Sequence, residues 1–133
     1  MLEILAFHHL SLSVTDLTRS TEWYQQVLGF DIAAQIERDG FRRTRLRAPN
    51  SGLTLSLTAH ADQLGERFDE HRPGMDHVAF QVAAADVDAL QLRLETQGVV
   101  HSQAKASAGG AVMITLRDPD NIQIEIFTGP LPT

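Results

Sequence analysis

The stretch FHHLSLSVTDL (7–17) returns as MDHVAFQVAAADV (75–87), and that return decides the fold. His9 falls on His77 and Val14 on Val82, both at an offset of 68 residues. Each segment runs into a helix-like stretch ending near a glycine, Gly29 or Gly98, at an offset of 69. LRAPN (46–50) then matches LRDPD (116–120) at 70, and LTLSL (53–57) matches IQIEI (122–126) at 69. Matches that keep their order while drifting by two residues mark a duplicated unit.

Each unit reads as strand, helix, then three strands. The first strand alternates at period two from about Leu5 to Val14. Thr15 or Asp16 offers a helix N-cap, and Leu17, Tyr24, Val27 and Leu28 form an apolar stripe before Gly29. Asp39-Gly40 is a tight turn between strands at about Phe30–Glu37 and Phe41–Arg47. Pro49-Asn50-Ser51-Gly52 turns the chain into a strand at Leu53–Thr58. The second unit has a strand near His77–Val82, a helix at about Asp86–Gln97, and strands near 99–104, 111–117 and 122–127. Residues 60–73 are polar and read as a linker, so the 133 residues form one domain of two βαβββ modules, about 4–59 and 74–128, facing each other.

Bulk properties narrow the function classes. A net charge of −6 carries no nucleic-acid or anionic-membrane footprint, so neither is expected as a partner. With no cysteine, disulfides, thiolate metal sites and cysteine nucleophiles are excluded. MLEILAF carries Glu3 and is too short for a signal-peptide core, and no apolar run reaches the ~20 residues of a membrane helix. The expectation is a cytoplasmic protein.

Side chains alternate across a strand, so parity sorts the candidates. Leu10, Leu12 and Val14 share a face that covers the helix; His9, Ser11 and Ser13 share the other. By parity His8 faces away from His9, and it reads as a surface or rim residue. Likewise Val78, Phe80 and Val82 oppose His77, Ala79 and Gln81, and Ile122, Ile124 and Ile126 oppose Gln123, Glu125 and Phe127. His9, His77 and Glu125 therefore project from the non-helix faces and converge if the two sheets close into a cup. Two imidazoles and one carboxylate form a facial set with open positions, suited to a divalent ion acting as Lewis acid and template. Taken singly, either histidine reads equally as a strand histidine. Glu125 amid isoleucines needs solvent or a partner. Its counterpart in the first module is Ser56, a poor ligand, which leaves the site open rather than closed.

HHLSLSVTDLTRSTEWYQQVLGF (8–30), GMDHVAFQV (74–82) and RDPDNIQIEIF (117–127) together resemble the vicinal oxygen chelate superfamily over about Leu5 to Phe127. That superfamily includes glyoxalase I, bleomycin-resistance proteins, extradiol dioxygenases, fosfomycin-modifying thiol transferases and methylmalonyl-CoA epimerase. The resemblance implies an α+β glyoxalase-like fold, an eight-stranded cup-like mixed sheet with helices outside, in a homodimer. It puts the family's ligand positions on His9, His77 and Glu125, holding a divalent metal left open among Fe, Mn, Zn, Ni and Mg. The family's fourth position falls at about Ser56, which counts against glyoxalase I or epimerase activity. A tyrosine usual ten residues before the acid is Thr115 here, and His60 or His71 offers an acid-base group without a firm match. Asn121 stands where a glycine is usual, and it tolerates the left-handed backbone nearly as well.

Five arginines stand in 38–47, and Arg43 and Arg45 share the cavity parity of Thr115. They form either a solvated strand face or two cations for an anionic substrate. Ser11, Ser56, Arg43, Arg45 and Thr115 are the candidate substrate contacts. His101 reads as a surface residue and Trp23 as packing or a dimer contact. Three functions compete: a metal-dependent dioxygenase, isomerase or lyase on a small oxygen-rich molecule; a metal-free protein sequestering a drug or metabolite; and a ligand sensor, for which the chain offers no positive sign.

Overall fold

A computed structural model describes residues 2–4, 6–107 and 109–130. Its contacts divide the chain into two compact units that meet at residues 66 and 67. The first unit contains β1 (Leu10–Ser13), α1 (Leu17–Leu28), β2 (Asp31–Arg38), β3 (Phe41–Arg47) and β4 (Thr54–His60). The second contains β5 (His77–Gln81), a short 3-10 turn at Ala84–Asp86, α2 (Val87–Thr96), β6 (Lys105–Ala106), β7 (Val112–Arg117) and β8 (Gln123–Phe127). Hydrogen bonding groups the strands into two four-stranded mixed sheets, β1-β4-β3-β2 and β5-β8-β7-β6. The same βαβββ order and strand order occur twice, as the duplication requires. No helix among the described residues is long and apolar enough to cross a membrane.

Local chemistry explains where the elements begin and stop. Asp16 caps α1, its carboxylate accepting the Arg19 amide N–H at 3.0 Å. Gly29 ends that helix at φ 74, with its own N–H on the Gln25 carbonyl and the Phe30 N–H on that of Tyr24. Gly98 repeats the device at φ 65, and the Val99 N–H reaches back to the Leu94 carbonyl at 2.9 Å. In the second module Asp118 builds the turn into β8, its carboxylate accepting the N–H groups of Asp120 (2.9 Å) and Ile122 (2.8 Å). Asn121 takes φ 73 there, the left-handed position expected of it.

The core sits on the helix face of each sheet. Leu12, Leu46, Leu55 and Leu57 are buried with Tyr24 and Val27 of α1 in the first unit. Ile114, Leu116, Ile124 and Ile126 do the same in the second, with Val87 and Leu94 of α2. Each of these side chains contributes ~1.5–3 kcal/mol by leaving water.

Four expectations are corrected. The first strand does not extend through Ala6–His9; it begins at Leu10, and Leu5 lies outside the described residues. Its parallel partner explains this, because Leu10 pairs with Leu55, and β4 begins only at Thr54, beyond the 48–53 turn. A strand at 99–104 does not form: His101 makes an isolated bridge to Leu116, and the ladder proper is Lys105–Ala106. There the Ser102 hydroxyl accepts the Thr115 N–H at 3.0 Å, so a side chain displaces the carbonyl a ladder would use. His101 is half-buried rather than a surface residue, its Nδ1 2.8 Å from the Ser102 carbonyl. The linker, finally, is anchored at its second half: the Phe68 N–H donates to the Asp120 carbonyl, and Glu70 forms a two-pronged ion pair with Arg117.

Candidate functional site

Strand register sets the non-helix face of the second sheet. Ala79 and Thr115 both stand opposite Glu125, one from each side, and His77 and Arg117 both stand opposite Gln123. Glu125 is half-buried and His77 more exposed. Their nearest atoms, His77 Nε2 and Glu125 Oε2, are 3.5 Å apart. The other imidazole nitrogen, Nδ1, stands 2.7 Å from the Asp76 carboxylate, which fixes the ring and leaves Nε2 toward Glu125. That hydrogen bond raises the His77 pKa above its ordinary value; partial burial opposes the rise and the Glu125 charge adds to it.

This pair fits a divalent ion by its donor set. A neutral imidazole Nε2 and a carboxylate oxygen suit such ions, and a histidine whose second nitrogen is held by a carboxylate is the usual supporting arrangement. Two donors cis on one ion, each ~2.1 Å from it, stand about 3.0 Å apart, close to the spacing of this pair. Without metal the same two groups form an ion pair when His77 is protonated.

In the first sheet the row equivalent to Ala79–Glu125–Thr115 is Ser11–Ser56–Arg45. The register therefore makes Ser56 the structural counterpart of Glu125. Ser56 and Thr58 are buried, Arg43 half-buried and Arg45 exposed. Thr58 is the centre of a hydroxyl network: its Oγ1 lies 2.9 Å from Ser11 Oγ and accepts Arg43 Nε at 2.8 Å. The Arg43 guanidinium also lies over the Phe41 ring, 4.8 Å from its centroid. Thr58 was not singled out from sequence; its parity with Ser56, two residues on, is the signal that marks it.

His9 belongs to this first unit and is exposed, immediately before β1. The expectation that His8 faces away from it is overturned: their Nδ1 atoms are 2.7 Å apart, one donating to the other, with the rings edge to face. Alternation holds only inside a strand, and both residues precede β1. Each candidate histidine thus has its Nδ1 engaged by the residue just before it, His8 for His9 and Asp76 for His77.

Other candidates lie elsewhere. His60 ends β4 opposite Phe41, and His71 is exposed on the Asp69 carboxylate at 2.9 Å. Asp69, Glu70 and His71 are close enough together to resemble a metal cluster, but Asp69 holds His71 and Glu70 is committed to Arg117. Trp23 packs edge-on against the buried Tyr24. A groove of about 470 Å³ runs between α1 and β2–β3, with Leu17, Thr21 and Gln25 among its walls. Those helix residues put it on the opposite side of the sheet from Ser11, Ser56 and Thr58.

Comparison with known proteins agrees with this fold. A family model described as the Glyoxalase/Bleomycin resistance protein/Dioxygenase superfamily matches residues 6–126. The crystal structure of a glyoxylase/bleomycin resistance protein/dioxygenase domain from Frankia sp. EAN1pec is 30% identical, with a TM-score of 0.89, covering 96% of this chain and all of that one. Glutathione transferase FosA of Serratia marcescens is 27% identical over 126 residues, 95% of this chain and 82% of FosA. The fosfomycin resistance protein FosX of Listeria monocytogenes, solved with Mn(II) and a sulfate ion, shares the fold at 23% identity. Its TM-score is 0.74, over 97% of this chain and 96% of that one.

Proposed function

The chain belongs to the Glyoxalase/Bleomycin resistance protein/Dioxygenase superfamily, and from that membership we propose a divalent-metal-dependent enzyme acting on a small oxygen-rich molecule. The observation that carries the reading is the His77 Nε2–Glu125 Oε2 pair at 3.5 Å, with the second nitrogen of His77 held by Asp76. His9 is proposed as the third ligand on its equivalence to His77 in the repeat. The two modules then act as one domain, in a homodimer whose solvent-facing Leu2, Ile4 and Phe7 suit a contact between copies. A cytoplasmic setting accompanies the reading.

A divalent ion held by these three residues supplies Lewis acidity and a template for a substrate that offers two oxygens. The residues around it define the rest. With Ser56 where a second carboxylate would stand, one protein ligand is missing and room is left for substrate. Arg45, exposed on the Ser56 row, and Arg43, fixed by Thr58 and Phe41, are the cations proposed to meet substrate negative charge. The chemistry proposed is dioxygenation, isomerisation or lyase-type proton transfer.

Elemental analysis of protein purified without chelator tests the reading. Near-stoichiometric divalent metal is expected in the wild type, and its loss in the His9→Ala/Glu125→Ala double variant. Metal that persists in the double variant refutes the ligand set. Protein that binds ligand with no metal at all moves the reading to sequestration of a small molecule. Arg45→Ala should weaken binding of inorganic phosphate; unchanged affinity removes that arginine from the site.

A further inference from the structure

Glu125 does not stand alone on its face. Its Oε1 accepts from Gln123 Nε2 at 3.1 Å, and Gln123 Oε1 in turn accepts from Arg117 Nη2 at 3.1 Å. Arg117 is itself fixed: Nη2 donates to Glu70 Oε1 at 2.6 Å, and Nη1 to Glu70 Oε2 at 3.1 Å and to the Asn121 carbonyl at 3.0 Å. Only one orientation of the Gln123 amide is compatible with these neighbours. Reversed, it would set its NH2 against a guanidinium donor and its carbonyl against a carboxylate. Arg117 therefore selects the amide orientation, and the amide occupies Oε1, leaving Oε2 toward His77 Nε2.

We propose that Gln123 and Arg117 are positioning residues for Glu125, a relay anchored by Glu70 of the linker that presents a single carboxylate oxygen to the metal. The proposal rests on the metal reading above. It adds that the linker segment around Glu70 takes part in shaping the site, through a bidentate pair whose two contacts fix the guanidinium's orientation.

The test is Mn(II) titration of the chelator-stripped full chain, following free Mn(II) by electron paramagnetic resonance. Gln123→Met, which keeps volume and removes the amide, should raise the Mn(II) Kd by roughly 10–100-fold, the range for outer-shell groups. Arg117→Met should weaken binding in the same direction. The Gln123→Met/Arg117→Met double variant should bind no worse than Gln123→Met, because Arg117 acts through the amide. Additive losses, or a Gln123→Met Kd equal to wild type, overturn the relay. Should Arg117→Met fail to fold, Arg117→Lys takes its place, losing the fork while keeping the charge. Glu125→Ala separates the two levels: if it loses Mn(II) while Gln123→Met does not, only the relay fails. If wild type binds no Mn(II), or Glu125→Ala binds it unchanged, the metal reading and the relay fail together.

Discussion

The two modules share one strand order and carry different chemistry on one face. In the first, the row Ser11–Ser56–Arg45 lies beside a buried hydroxyl, Thr58, that gathers Ser11 and Arg43. In the second, the matching row Ala79–Glu125–Thr115 centres on a carboxylate that Gln123 and Arg117 hold in place. The helix faces show no such divergence: Leu55 and Leu57 stand where Ile124 and Ile126 stand, all buried. Packing constrains one face in both copies, because each methylene in a core is felt. On the other face one copy carries hydroxyls and cations, Ser11, Ser56, Thr58, Arg43 and Arg45, while the other carries His77 and Glu125, the pair proposed to hold metal.

The equivalence of the cores can be broken first. Leu55→Ala and Ile124→Ala each remove a side chain of 1% or lower exposure. Each should cost ~2–5 kcal/mol, read as a lowered urea midpoint. A large loss from one and almost none from the other would show that the modules are not equivalent supports.

The turns into β4 and β8 sharpen the contrast next. Asp118→Ala strips two backbone N–H groups of their acceptor in a buried turn and should cost ~1–3 kcal/mol. Ser51→Ala, in the exposed first-module turn where one hydroxyl accepts the Leu53 N–H at 3.3 Å, should stay within ~0.5 kcal/mol. Equal effects would contradict the view that only the second turn depends on its side chain.

The linker anchor has its own pH signature. Arg117 lowers the Glu70 pKa to about 2, from an ordinary value of 4.5. A depressed carboxylate stabilises the fold above its unfolded pKa and stops doing so as pH falls through the folded value. The Tm gap between wild type and Glu70→Gln should therefore be constant near neutrality and shrink between pH 4.5 and 2. A gap independent of pH would mean that the Glu70 charge plays no part in the anchor.

Much of this molecule was legible in its sequence, and the illegible parts have a common cause. The duplication, the hairpin at Asp39-Gly40, β3 at Phe41–Arg47 and the left-handed Asn121 all follow from periodicity and turn chemistry. Where a strand's partner runs out, periodicity misleads, as it did for residues before Leu10. Where a side chain competes for a backbone donor, as Ser102 does, a strand-like sequence does not pair as one. The Glu70–Arg117 anchor joins residues 47 apart in sequence, and neither belongs to a pattern that points to the other. Parity inside β5 and β8 puts His77 and Glu125 on one face, and their side chains stand 3.5 Å apart there. His8 is exposed, as a surface residue should be, but parity does not extend past the end of the strand, so it meets His9 instead of facing away from it.

The asymmetry at one register position is the central claim, and Mn(II) affinity of Glu125→Ser beside Ser56→Ala tests it most directly. Glu125→Ser gives the second module the first module's residue and should weaken binding beyond the roughly 10–100-fold of an outer-shell change, while Ser56→Ala binds as wild type does. Wild-type affinity in Glu125→Ser, or equal losses in the two variants, would contradict the account.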